Sequence, residues 1–241
     1  MSAAPTAAGS VDAPSAIDAA PAAGSIAPIA ADDEVGRAAF TWRLVMVLAL
    51  VAGLVSDAHP LHFFTTQVSV IALGYFAVSL HLMVVRRTGA APAPRLRGAI
   101  VLWLVATMLV SHVVDRGGEN PIPGLLDAST PAELLANRSV FLLLYAVPVL
   151  ALVDFVVFRP HGATRLRDLP LWLAFPAGYV VMAVGRALLL PEAPDRFPYG
   201  FLDPGDAGFV GVGLRALALG VGVAVIGAVL VAVDRMLRRL D

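Results

Sequence analysis

The chain has 241 residues, 59% of them hydrophobic and only 15% charged, with a mean hydropathy of +0.81; a soluble domain carries about 25% charged residues, so that class is excluded. A net charge of −1 gives no bulk attraction to nucleic acid. Cysteine is absent and all 17 basic residues are arginine, which removes disulfides, thiol nucleophiles, iron–sulfur ligation and lysine-based Schiff-base or P-loop chemistry.

Residues 1–37 are rich in Ala, Pro and Ser, with five acids (Asp12, Asp18, Asp32, Asp33, Glu34) ahead of the first base, Arg37. No basic segment precedes an apolar core, so this is not a signal peptide, and it reads as a disordered cytoplasmic tail. Residues 38–241 read as an all-α domain of six transmembrane helices in a compact bundle. The spans fall at 39–56, 64–85, 98–115, 139–158, 169–190 and 207–234, near the ~20 residues that cross ~30 Å of hydrocarbon. Twelve arginines flank the spans on the side of the termini and three (Arg116, Arg138, Arg196) lie on the other. The positive-inside rule therefore places both termini in the cytoplasm and makes the chain a multi-pass cell-membrane protein.

The third connection contains Thr130-Pro131-Ala132-Glu133, a capping box with proline at the first helical position, so a short helix leads into span four. The fifth, PEAPDRFPYGFLDPGD, combines prolines and aromatics and should fold back rigidly over the outer mouth, anchored by Tyr199 and Phe201. In span six Ala216, Gly220, Ala224, Ala228 and Ala232 recur every fourth residue, a small-residue ridge that predicts close helix packing.

The polar residues converge on the outer leaflet. His62, Thr65, Thr66 and Ser69 share one side of span two, with Gln67 beside them; span three brings Ser111, His112 and Asp115; Arg186 ends span five and Arg215 opens span six. Such groups face a bundle interior or a wet cavity more readily than lipid, although the two arginines can also snorkel to the interface. His59 and His62 form an HxxH pair without the glutamate of a zinc helix, so no metal or cofactor is expected. Asp154, near the cytoplasmic end of span four, is expected to pair with an arginine such as Arg159.

HFFTTQVS resembles the Phe-Thr-x-Gln-Ser start of span two in the bacterial six-span membrane family known as Pr6Pr. That family is related to the eukaryotic androgen-induced and androgen-dependent membrane hydrolases. VPVLALVDFVVFRP resembles its Val-Pro-x-x-x-x-x-Asp-Trp-x-x-Phe segment, with Phe155 in place of tryptophan. LWLAFPAGYVV, GRALL and RFPYGFLDP are similar to its later motifs. The resemblance implies six spans and a threonine-dependent hydrolysis of lipid esters, with Thr65 at the position of the threonine. The family histidine would fall at Leu143 or Leu144, so the base would have to be His112 or His62, and His112 is favoured because it can approach across a cavity, with Asp115 orienting its ring. His62, Thr66, Gln67, Asp115, Tyr199, Arg186 and Arg215 are the expected binding residues. The alternative is a protein that holds a membrane lipid or small amphiphile without turnover.

Overall fold

The computed structural model describes residues 27–56, 60–122, 125 and 128–240. Six helices long and apolar enough to cross a membrane follow one another: α1 (Ala27–Ser56), α2 (Phe64–Arg86), α3 (Pro94–Asp115), α4 (Pro131–Val157), α5 (Leu169–Leu189) and α6 (Gly208–Leu237). Among the described residues there is no strand. The protein is an all-α, six-span, multi-pass membrane protein. An even number of spans brings both ends of the bundle to one pole, called here the terminal pole.

Two helices exceed expectation. Helix α1 begins at Ala27, so the expected tail is helical from there to Arg37, where an Ala-rich stretch favours helix over coil; residues 1–26 of that tail, and His59, lie outside the described residues. The helix expected ahead of span four is continuous with it. Thr130 caps it, its hydroxyl accepting from the Glu133 amide at 3.2 Å.

Both α3 and α4 contain a π turn, Ser111–Asp115 and Leu142–Ala146. The second immediately precedes Pro148, which has no N–H to give and would crowd the Leu144 carbonyl; one extra residue in the turn relieves both. Helix α3 is the core strut. Ala99 through Ala106 are all buried, and it packs on α2, α4, α5 and α6. Around it stand Met46 and Leu50 of α1, Val68 and Phe76 of α2, Leu143, Val147 and Phe155 of α4, Trp172 of α5 and Leu230 of α6. Apolar side chains such as Val55, Val78, Val181, Val210 and Leu217 point outward, as a hydrocarbon solvent permits.

The terminal pole is held by buried charge. Asp154 accepts from Arg43 Nε at 2.9 Å, and its other oxygen lies 3.6 Å from Arg97; all three residues are fully buried. The pairing expected with Arg159 is therefore made with arginines from α1 and α3, which reach the carboxylate from facing helices. Arg97 also donates to the Phe158 and Pro160 carbonyls, and Arg43 to Gly89, so backbone oxygens share with Asp154 the two buried guanidinium groups. Asp234 of α6 closes the pole, accepting from the Gly162 amide at 2.8 Å and from the Thr164 amide and hydroxyl at 2.9 and 2.6 Å.

The small-residue ridge of α6 does something other than expected. Ala216, Gly220 and Ala224 line a cavity, and a Cβ built on Gly220 would meet nothing within 4 Å. Close packing occurs off the ridge at Gly227, where a Cβ would lie 2.6 Å from Leu169 Cδ2 and 3.2 Å from Leu102 Cδ2.

Candidate functional site

A cavity of about 550 Å³ opens at the pole opposite the termini, between α2, α3, α5, α6 and the connection from α5 to α6. Its deep wall is apolar: Trp103 and Ala106 of α3, Leu173 and Pro176 of α5, Val223 and Ala224 of α6. Its polar groups gather at the mouth, where Thr65 starts α2, Ser111 and Asp115 end α3, and Tyr199 leans in from the connection. From Trp103 to Asp115 the helical rise is ~18 Å, so the polar groups stand at one end of a long apolar space.

Pro176 shapes the deep wall. Proline cannot donate to the carbonyl four residues back, Trp172. That carbonyl instead accepts from the indole N–H of Trp103 at 2.7 Å, tying α5 to the core strut.

The mouth is built on aromatic contacts. Tyr199 OH lies 3.3 Å from both the amide nitrogen and the hydroxyl of Thr65, with the amide donating. Its ring stacks on Phe201 at 5.7 Å and meets Tyr179 and Phe63 edge-on at 6.1 and 6.0 Å. Tyr179 in turn donates to the His62 carbonyl at 3.0 Å. Leu202, fully buried with Tyr179, Ala183 and Val212, pins the connection down. Burial holds the Tyr199 phenol above its ordinary pKa, so it stays protonated at neutral pH; hydrogen bonds from Thr65 oppose that shift and the negative charge of Asp115 adds to it.

The structure separates the expected site residues. Thr65, Asp115 and Tyr199 line the cavity. His112 does not: its Nδ1 lies 3.2 Å from the Tyr145 hydroxyl of α4. The π turn explains the departure, because it keeps Ser111 and Asp115, four apart, on one face but swings Asp115 away from His112, three residues before it. Among the described residues no imidazole nitrogen is hydrogen-bonded to the Thr65 hydroxyl, so the expected Thr65–His112 dyad is not assembled. His62 is half-buried ahead of α2, against the ring of Phe63 at 4.7 Å, and its Nε2 is buried without a partner. Burial lowers its pKa, as does the positive charge of Arg186, while Asp195 acts the other way.

The remaining polar residues hold backbone. Gln67 donates to the Leu61 carbonyl at 2.9 Å and closes the turn that leads into α2, while Thr66 is buried and outside the cavity lining. Arg186 donates to the Asp195 and Pro194 carbonyls at 3.0 Å each, and Arg215 to those of Gly211 and Asp203. Both arginines are staples of the α5–α6 connection and neither lines the cavity. Sequence reasoning does not find Trp103, Phe64 and the α6 ridge as cavity walls; Pro176, inside an apolar run, marks one of the positions that line it.

Comparison of the chain with family models, with curated proteins and with solved structures returns no match.

Proposed function

We propose that this membrane protein binds a single-chain amphiphile, its head at the mouth and its chain along α3 toward Trp103. The observation that carries the reading is the placement of polar groups in one cavity: hydroxyls and a carboxylate at one end, Trp103 and aliphatic walls at the other. Its volume lies in the about 300–1,000 Å³ range of ligand sites, which are mostly apolar with a few convergent polar groups. Leu217 and Val221 line it and are more than half exposed on the outside of the bundle, so a lipid has a lateral way in between α5 and α6.

A second reading, Thr65-dependent hydrolysis of a lipid ester, is favoured by one feature: the Thr65 hydroxyl stands where head and chain of a bound amphiphile would meet. Attack by a threonine needs a base within reach, and Asp115 is the carboxylate on the same mouth.

One experiment tests both. Purified protein in nanodiscs is given a photoactivatable single-chain ester, and labelled peptides and released acid are measured. Binding predicts labels on α3, α5 and α6 within the cavity lining, lost in Ala224→Phe, which fills the space. Labels confined to the outer surface of the bundle would sink the binding reading. Acid release that disappears in Thr65→Ala would establish hydrolysis; its absence in the wild type leaves binding alone.

A further inference from the structure

The head group can be narrowed from charge, and this step rests on the binding reading above. Five aromatic residues line the cavity: Phe64, Tyr179, Tyr199, Phe201 and Trp103. Phe64 and Tyr179 lie 5.1 Å apart, Tyr179 and Tyr199 6.1 Å, and Tyr199 and Phe201 5.7 Å, so four of them form a continuous wall at the mouth. Among the described residues Asp115 is the only charged one in the lining, and no arginine or histidine contributes.

The absence of a cation there is built in. The pole has guanidinium groups enough, but Arg186, Arg196 and Arg215 each donate to backbone carbonyls of the α5–α6 connection or its flanking helices, and Arg196 lies over the Phe197 ring at 5.2 Å. Arg116 neighbours Asp115 without lining the cavity. A carboxylate or phosphate head would therefore meet the Asp115 charge and the negative faces of the rings, with no cation among the described lining residues to pair it. An ammonium head would find a carboxylate beside an aromatic wall, the combination that recognises quaternary ammonium through cation–π attraction.

We infer that the cavity selects a single-chain amphiphile with a cationic ammonium head over one with an anionic head. The test uses the full chain in zwitterionic nanodiscs. A neutral amphiphile brominated along its chain quenches Trp103, with Trp103→Phe as the control for Trp42 and Trp172. Hexadecyltrimethylammonium and hexadecanoate then compete with it. The ammonium should displace the probe at about tenfold lower concentration than the carboxylate, on the scale of one cation–π contact plus one charge pair. Asp115→Asn should reduce that preference to about twofold, and Asp115→Glu should restore it. Parity of the two competitors in the wild type, or a preference that survives Asp115→Asn, overturns the inference while leaving the cavity an amphiphile site. No quenching of Trp103 by any brominated chain overturns both.

Discussion

The Trp172 carbonyl would be orphaned by Pro176 and is satisfied by the Trp103 indole, so the energetics of that single bond can be isolated. Trp103→Phe keeps an aromatic ring in place but leaves a buried acceptor unpaired, which costs about 1–3 kcal/mol. Pro176→Ala supplies the missing backbone N–H, so the double variant should recover part of the loss. Thermal unfolding of the four proteins in detergent checks this, and strictly additive effects would show that the indole bond is not what satisfies the carbonyl. His62 gives a pH dependence from the same scale. Its pKa in the fold lies below the ordinary 6.5, first because of burial and then because of Arg186. The unfolded chain therefore binds the extra proton more readily, and the contribution of His62 is fully present above pH ~6.5 and falls as the pH drops below it. A stability profile in which His62→Gln flattens that acid limb is the expected result; an unchanged limb would assign it to other groups.

Helix placement was legible in the residues because hydrocarbon length and apolar runs dictate it; all six spans are found, α2 and α5 within one residue of expectation. What was not legible is where a helix departs from 3.6 residues per turn. The turn at Ser111–Asp115 leaves Asp115 on the cavity and His112 off it, where both were expected to face inward, and nothing in SHVVD announces it. The small-residue ridge of α6 was misread for a related reason: a repeat of alanines and glycines says that a face is flat but not what lies opposite. Opposite Ala216, Gly220 and Ala224 lies a cavity instead of a packed helix. The two readings differ in outcome. Gly220→Leu enters open space, so it should leave thermal stability nearly unchanged while cutting amphiphile labelling. Gly227→Leu collides with Leu169 and Leu102 and should cost about 1–3 kcal/mol by overpacking. Equal losses at both positions would return the ridge to a packing role.

At the scale of the whole molecule the two poles divide the work: buried ion pairs fasten one, and aromatic contacts frame a cavity at the other. The fastening is vulnerable to loss of its carboxylate. Asp154→Asn leaves Arg43 and Arg97 buried without a counter-charge and should destabilise the bundle by about 3–5 kcal/mol, read as a lowered unfolding midpoint in detergent. The same network bears on orientation. Arg43 and Arg97 are fully buried partners of Asp154, and setting them aside leaves ten arginines at the terminal pole. Arg186, half-buried, and Arg215, exposed, prove to be staples at the cavity pole, which raises its count from three to five. The asymmetry narrows to two to one but keeps its sign. Most of the ten sit in the clusters Arg86–Arg87, Arg165–Arg167 and Arg235–Arg239, close to span ends where the positive-inside rule acts. Both termini should then face the cytoplasm and the cavity the opposite leaflet. A fusion at Leu240 of a reporter that works only in the cytoplasm should be active, and one inserted after Asp206 inactive. The reverse pattern would turn the molecule over, and the amphiphile would have to reach it from the cytoplasmic leaflet.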